Sequence, residues 1–278
     1  MTSKDTLARL LEFLEEDVGR GDITTAIVLK GDEVAAAEVI AKGDGVLSGL
    51  EEAMSLLEHR GIEHSSSLRD GDEIKTGGVI LQLNGNASEI LVVERLLLNL
   101  LTSMSGIATA TRKLVDICNP YDVTVAGTRK TTPGFRFFEK KAIAHGGGMP
   151  HRMGLNDAIL IKDNHVAIVG LEESIKRAKL ADPDSKIEVE VSSGDDAQLA
   201  CKSGADTIML DNLSADEVAK VISELDKSGL RDNVVIEISG GVTTGNIEAY
   251  AKSKPNVIST GSVTTKANWL DMSLKVKS

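Results

Sequence analysis

Residues 187–212 read IEVEVSSGDDAQLACKSGADTIMLDN. Ile187 to Val191 and Thr207 to Leu210 are short β-branched and apolar runs, and Ala197 to Ser203 between them reads as a helix. A strand, a helix and a second strand in so little chain form a βα unit, whose strands lie parallel across a right-handed crossover. The same rhythm extends both ways. Upstream runs are Val123 to Ala126 and Ala158 to Ile161; downstream runs are Val234 to Ile238 and Val257 to Ser259. Helices are expected over about Phe135 to Ala144, Leu171 to Leu180, Ala215 to Lys227 and Asn246 to Lys252. Six such units argue for an α/β domain with a parallel sheet. A closed eight-fold barrel needs more strands, and an open doubly wound sheet is the alternative. Periodicity does not choose between them.

The chain before this region has a different grain. Leu7, Leu10, Leu11 and Leu14 mark an amphipathic first helix that Gly19 and Gly21 end, and Asp22-Ile23-Thr24-Thr25 starts a segment read as irregular. Residues 33–41 and 79–83 read as strands, a further short strand falls between Gly71-Asp72 and Gly77-Gly78, and Leu50 to His59 reads as a short helix. Ser88 to Leu101 is a strongly apolar helix with Ser88 as its N-cap; Ser105-Gly106 is expected to interrupt it before Ile107 to Cys118. Arg95 stands inside that apolar run, where a buried guanidinium needs an acidic partner or a ligand. The tail, Trp269 to Ser278, reads as a final strand returning to this first domain.

Composition excludes several classes. The 278 residues carry 31 Lys and Arg against 42 Asp and Glu, a net charge of −11, and only 3% are aromatic. Such a chain is poorly suited to a phosphate backbone or to stacking on single-stranded bases, so no nucleic-acid partner is expected. Acids among the apolar residues of the first helix exclude a signal peptide, and no apolar run is read as spanning a membrane. Cys118 and Cys201 stand far apart without metal-ligand spacing, which fits reduced thiols in the cytoplasm.

Against that acidic background, residues 128–165 hold seven Lys and Arg, three acids and three of the five histidines. Arg129-Lys130, His151-Arg152 and Lys162 each lie at a turn or a strand end, whereas Arg136, Lys140 and Lys141 read as solvated helix residues. Sites on parallel βα architectures form at the carboxyl ends of strands. The six strand ends here supply Gly127-Thr128-Arg129-Lys130, Lys162-Asp163-Asn164-His165, Glu190 on the face it shares with Glu188, Asp211-Asn212, Ser239-Gly240-Gly241 with Val242-Thr243-Thr244 after it, and Ser259-Thr260-Gly261-Ser262. Arginine's fork suits a carboxylate, and His151-Arg152 after three glycines could clamp one. Paired glycines before a helix let a phosphate approach the backbone. Glu190 and Asp211 could share a Mg²⁺ with substrate phosphates, stabilise positive charge on a sugar, or pair with nearby lysines.

These residues sit in segments that strongly resemble the quinolinate phosphoribosyltransferase family: EEDVGRGDITT (15–25), ERLLLNLLTSMSGIATATR (94–112), TRKTTPG (128–134), HGGGMPHRMGLNDAILIKDNH (145–165), EVEV (188–191), MLDN (209–212), ISGG (238–241) and STGS (259–262). The resemblance implies an N-terminal α/β sandwich domain, residues 1–107 joined by the tail 267–278, and an open α/β barrel of fewer than eight strands, residues 108–266. It implies a cytoplasmic enzyme of NAD biosynthesis that converts quinolinate and phosphoribosyl pyrophosphate to nicotinate mononucleotide, pyrophosphate and CO₂. Substrate-bound Mg²⁺ would be used and no organic cofactor. It further implies a homodimer with shared active sites, a higher assembly of dimers being left open.

Carried over by position, Arg129, His151, Arg152 and Lys162 would hold the quinolinate carboxylates, with Arg95 arriving from the partner subunit. Thr128 and Lys130 would face the phosphoribosyl and pyrophosphate groups. Glu190 and Asp211 would bind ribose hydroxyls directly or through Mg²⁺, and with Lys162 form the catalytic set. Ser239, Gly240, Gly241, Ser259 and Gly261 would cradle the 5′-phosphate. Two departures from the family pattern are Met149-Pro150, where many relatives carry a polar pair, and Thr265, where many carry His. The alternatives are a same-fold enzyme acting on another pyridine acid such as nicotinate, and a non-catalytic paralogue associated with molybdate transport.

Overall fold

The fold is that of a computed structural model, which describes residues 3–277, with side chains from Lys4 onward. Two compact units share the chain: one comprises the residues up to Ala110, Phe137–Gly147 and the stretch from Ala267, the other Thr111–Arg136 and Gly148–Lys266. The 108–266 span expected for the barrel therefore lends residues 137–147 to the first unit.

The first unit begins with α1 (Ser3–Val18) and α2 (Ile23–Val28), then β1 (Val34–Ala41), β2 (Gly45–Val46), α3 (Leu50–His59), β3 (Glu63–Ser65), β4 (Glu73–Ile74), β5 (Val79–Asn86) and the long α4 (Ala87–Cys118). The segment from Asp22, read as irregular, is helical because the Asp22 carboxylate accepts the Thr25 backbone N–H at 3.0 Å and caps α2. Its antiparallel sheet runs β12-β1-β5-β3, where β12 (Met272–Val276) is the expected returning tail strand. Val39, Leu81, Leu56, Leu97 and Leu101 are fully buried in its core; each such side chain stabilises the fold by about 1.5–3 kcal/mol relative to exposure.

Helix α4 departs from four expectations. Helix α4 does not break at Ser105-Gly106 but runs for 32 residues. Gly106 instead makes room for a crossing strand of chain, because a Cβ there would lie 2.2 Å from the Asn268 carbonyl oxygen. The helix starts at Ala87 and not after Ser88, with the Asn86 side chain accepting the Glu89 N–H at 3.2 Å. Arg95 is not buried among the leucines; it lies on the exposed side of α4, while Leu96, Leu97 and Leu98 face inward. By length and hydropathy this helix could cross a membrane, contrary to the sequence reading. However, 67% of its most apolar window is buried within the protein, which marks a core helix.

Helix α5 (Arg136–His145) overturns another reading. Lys140 is only 2% exposed, and Lys141 forms ion pairs with both Glu51 and Glu52, so neither is a solvated residue. Arg136 donates to Thr131 Oγ1 at 2.9 Å and to the Met153 carbonyl at 2.8 Å, so it too is held.

The second unit contains β6 (Thr124–Ala126), β7 (Ile159–Ile161), α6 (Asp163–Val169), α7 (Leu171–Ala181), β8 (Ile187–Val191), α8 (Gly194–Ser203), β9 (Thr207–Asp211), α9 (Ala215–Lys227), β10 (Val235–Ser239), α10 (Ile247–Ala251), β11 (Val257–Ser259) and α11 (Ser262–Thr265). Chain punctuation sets these limits. Ser214 and Glu217 form a capping box that starts α9, and Ser193 caps α8. The six-stranded sheet runs β6-β11-β10-β9-β8-β7, and its ladders are parallel. Read from β7, the order steps through the sequence without reversal and closes back on β6. A doubly wound sheet requires a reversal, so this is an α/β barrel left open between β6 and β7. The Met149 backbone partly covers that gap: it donates to the Val125 carbonyl at 2.8 Å and accepts the Gly127 N–H at 2.9 Å. The Met149-Pro150 departure thus falls on the segment that edges β6.

Strand pleating separates two sets of side chains. Val189, Val191, Ile208, Leu210, Ile236, Ile238 and Ile258 are buried at the positions facing the helical layer. The alternate positions, Leu160, Lys162, Glu190, Met209, Asp211, Glu237, Ser239 and Ser259, line a cavity.

Candidate active site

The cavity, about 450 Å³ in volume, lies at the carboxyl ends of the barrel strands. It brings together Thr128, Arg129, Lys130, His151, Arg152, Lys162, Glu190, Asp211, Ser239, Gly240, Gly241 and Ser259 from the residues singled out in the sequence. Gly261 lies just behind the wall. A Cβ on it would meet Lys130 Cδ at 3.0 Å and Thr128 Oγ1 at 3.4 Å, so its missing side chain leaves room for Lys130. Arg95 belongs to the first unit and is not among the lining residues.

One wall is cationic. Arg129 follows β6 and is half-buried, and its Nε is buried without a hydrogen-bond acceptor. An orphaned buried donor is costly, and an anion in the cavity would satisfy it. Arg152 reaches the wall from the segment after Met149, and Lys162 follows β7. The Lys162 ammonium is ion-paired with Glu190 Oε1 on the neighbouring strand.

The facing wall is acidic and glycine-rich. Asp211 ends β9, and its Oδ2 accepts a hydrogen bond from Asn212 Nδ2 at 2.6 Å. Asn212 is left-handed, with φ 57°, and its N–H donates to the Ser239 carbonyl at 3.0 Å. Gly240 and Gly241 are left-handed in succession, with φ 89° and 63°. A Cβ on Gly240 would lie 2.3 Å from Asn212 Oδ1 and 2.6 Å from its nitrogen, so only glycine fits. The helix that follows these glycines starts at Ile247, close to the expected Asn246, so several residues separate it from them and the turn itself must present the donors. Thr265, the other departure, hydrogen-bonds the Gly261 carbonyl through its hydroxyl at 2.9 Å.

Beneath the wall, His151 Nε2 lies 3.3 Å from Glu237 Oε2 and 3.8 Å from Glu188 Oε2. Burial, then the negative charge of Glu237, pushes the Glu188 carboxyl up to about 7, against the opposing pull of His151 and Arg152. Glu237 was not singled out from sequence, nor were Leu160 and Met209, which also line the cavity; Gly127, Asp163 and Asn212, read from sequence as strand-end residues without an assigned role, line it too. The signal for Glu237 was present: an acid alternating with isoleucines in IEIS occupies the inward face, as Glu188 does in IEVEV.

Glu190 and Asp211 are hard oxygen donors, and neither belongs to a cluster of three ligand groups among the described residues. Such a pair suits a Mg²⁺ that keeps most of its ligands from phosphate and water.

Comparison with known proteins divides the chain in two near residue 106. A profile described as "Quinolinate phosphoribosyl transferase, C-terminal domain" matches residues 107–275, and one for the N-terminal domain matches residues 22–105. The chain is 46% identical over 259 residues to a protein of Archaeoglobus fulgidus named "Probable nicotinate-nucleotide pyrophosphorylase [carboxylating]", covering 92% of this chain and 98% of the relative. A protein of Methanothermobacter thermautotrophicus with the same name is 42% identical over 270 residues, covering 96% and 97%. The solved structure of the nicotinate-nucleotide pyrophosphorylase from Francisella tularensis superposes with a TM-score of 0.91 at 34% identity, covering 100% of this chain and 98% of that one.

Proposed function

The chain belongs to the quinolinate phosphoribosyltransferase family, and we propose that its cavity converts quinolinate and phosphoribosyl pyrophosphate to nicotinate mononucleotide, pyrophosphate and CO₂. This is the decarboxylating pentosyl transfer of de novo NAD biosynthesis. One observation carries the assignment of the site: the orphaned Arg129 Nε stands in a wall of permanent cations, opposite two strand-end carboxylates and a left-handed glycine pair.

The residues divide the work by charge. Arg129, Arg152 and Lys162 hold the two carboxylates of the diacid, because guanidinium and ammonium groups do not readily lose their protons. Lys130, beside Thr128 and Gly261, faces the leaving pyrophosphate. Ser239, Gly240, Gly241 and Ser259 take the 5′-phosphate. Glu190 and Asp211 approach the ribose hydroxyls and, as pyrophosphate departs, stabilise the positive charge that develops on the sugar. Attack by the ring nitrogen makes a pyridinium, whose positive charge stabilises the carbanion left on the adjacent ring carbon when its carboxylate leaves as CO₂; a proton from a nearby lysine or water then completes the C–H bond there. The cationic ring is therefore the electron sink, and no organic cofactor is needed. Mg²⁺, carried by the pyrophosphate and approached by Glu190 and Asp211, would neutralise the leaving group.

We also infer a homodimer in which Arg95 of one copy completes the site of the other. Arg95 is exposed, and α2 presents Ile23 and Ile27 at 77% and 79% exposure, an apolar pair suited to burial against a second copy. Cys118 and Cys201 are free thiols, as suits a cytoplasmic protein.

The direct test is to supply purified protein with quinolinate, phosphoribosyl pyrophosphate and Mg²⁺ and to follow nicotinate mononucleotide and CO₂. Both products should appear in equal amounts. Turnover of nicotinate in place of quinolinate, with no CO₂, would overturn the assignment.

A further inference from the structure

His151 lines the cavity, yet both of its ring nitrogens engage the protein. Its Nδ1 accepts the backbone N–H of Arg152 at 2.9 Å, and its Nε2 faces Glu237 at 3.3 Å. A backbone donor aimed at Nδ1 requires a lone pair there, so the ring proton lies on Nε2 and points to the carboxylate. The same constraint weighs against a metal held by His151, Glu188 and Glu237. A ligating Nε2 would need its own lone pair and would drive the proton to Nδ1, against the Arg152 N–H.

The backbone explains why the ring is braced so firmly. His151 is left-handed, with φ 59°, a conformation uncommon for a residue with a side chain. The ring holds that turn from both sides: one nitrogen grips the next residue, and the other is gripped by a buried acid. Upstream, Met149 is fastened to β6. Arg152 therefore stands on a segment pinned at two points.

Glu237 is an expensive choice for this task unless the task matters. It is 2% exposed, and its Oε1 has no partner, so His151 is the hydrogen-bond partner the carboxylate has at this inward position. A residue serving only to fill the barrel would be apolar, as Leu160 is on β7.

We propose that Glu237 is a positioning residue: it holds His151 in the Nε2–H form within the left-handed turn, and thereby aims Arg152 at the acidic ring substrate. The proposal rests on the reading of the cavity as a site for a pyridine dicarboxylate. It assigns His151 to bracing and leaves direct carboxylate binding to Arg129, Arg152 and Lys162.

The test compares Glu237→Met, which removes the acceptor at similar volume, with Glu237→Gln, whose amide oxygen still accepts from Nε2–H. Nitrogen-15 NMR of the histidine rings, on full-length protein without substrates and with His151→Asn identifying the resonance, reads the tautomer. Steady-state kinetics read KM separately for quinolinate and for phosphoribosyl pyrophosphate. Glu237→Met should lose the Nε2–H signature and raise KM for quinolinate about tenfold or more, with KM for the cosubstrate within about twofold. Glu237→Gln should keep the signature and stay within about threefold of the wild type in both. An unchanged tautomer and quinolinate KM in Glu237→Met, or an equal rise in both KM values, overturns the proposal. Should the Met variant not fold, Glu237→Asp keeps the charge, withdraws it by one methylene and is held to the same criteria. If wild-type protein does not turn over quinolinate, the functional reading fails while the ring signature still decides whether Glu237 sets the tautomer.

Discussion

Lys162, the residue after β7, is ion-paired with Glu190 on β8, so the cationic and acidic walls of the cavity meet at that point. Lys162 is partly exposed, its side chain 42% accessible, so the pair itself stabilises the fold by no more than about 1 kcal/mol. In the proposed reaction the lysine turns to a substrate carboxylate and releases Glu190 toward the ribose. Lys162→Ala should therefore lower kcat/KM by about 10²–10³-fold or more, while the melting temperature shifts by no more than about 4 °C. Paired activity assays and thermal melts decide it; full activity in the variant removes Lys162 from the site.

Gly240 carries a prediction of a different kind. Its φ of 89° and the 2.3 Å approach a Cβ would make to Asn212 Oδ1 leave alanine no unstrained place. Gly240→Ala should cost about 1–3 kcal/mol in stability. It should also raise KM for phosphoribosyl pyrophosphate more than KM for quinolinate, because the displaced turn is the one assigned to the 5′-phosphate. Denaturant titration and the two KM values test this; a silent substitution would show that the turn is neither strained nor used.

Lys141 tests the buried side of the first unit. It pairs with Glu52, whose side chain is 1% exposed and whose Oε2 has no hydrogen-bond partner. Removing the lysine leaves a buried carboxylate without its counter-charge, so Lys141→Ala should cost about 3 kcal/mol or more. Adding Glu52→Gln should restore part of that loss, since the stranded charge disappears. If the single variant melts like the wild type, the pair is not the anchor that its burial indicates.

Glu188 gives a pH dependence whose sign can be worked out. Its carboxyl, ordinarily near 4.5, is held at about 7 by burial and by the charge of Glu237. The folded protein therefore binds this proton more tightly than the unfolded chain. The contribution is fully present below about pH 4.5 and is lost as pH rises through about 7. Glu188→Gln removes that proton equilibrium, so its melting temperature should fall less than the wild type's between those pH values. Parallel curves for the two proteins would contradict the assignment.

Much of this architecture is legible in the sequence because strand period and strand ends are local features. Ile187 to Val191 is β-branched on its outward face, and the strand ends collect charges or glycines. Most of the cavity wall can thus be read from the residue that follows each run. What escaped depends on contacts distant in sequence. Gly106 resembles a helix break, yet the chain at Asn268 crosses there and requires a residue without a side chain. Arg95 sits among leucines in the sequence, but the 3.6-residue period turns it to the opposite face. Lys140 looks like any helical lysine until its burial is known. Glu237 was passed over because one acid in an apolar strand does not reveal that a histidine 86 positions away will meet it.

The exposed face of α4 bears on assembly, and a complementation experiment decides it. Suppose each site combines Lys162 of one copy with Arg95 of the other. Homodimers of Arg95→Ala and of Lys162→Ala should then both be inactive, for each lacks one essential cation at both sites. In a mixed dimer, one site receives both defects and the other receives neither. The intact site pairs the unmodified Lys162 of the first copy with the unmodified Arg95 of the second. Random reassortment places about half of the dimers in the mixed form, so total activity should recover to about a quarter of the wild type. If Arg95 instead served the site of its own copy, each subunit of the mixed dimer would carry one defective site and the mixture would remain inactive. Reassociating the two variants from denaturant and measuring nicotinate mononucleotide formation separates the two arrangements; an inactive mixture with dimers re-formed would remove the shared site.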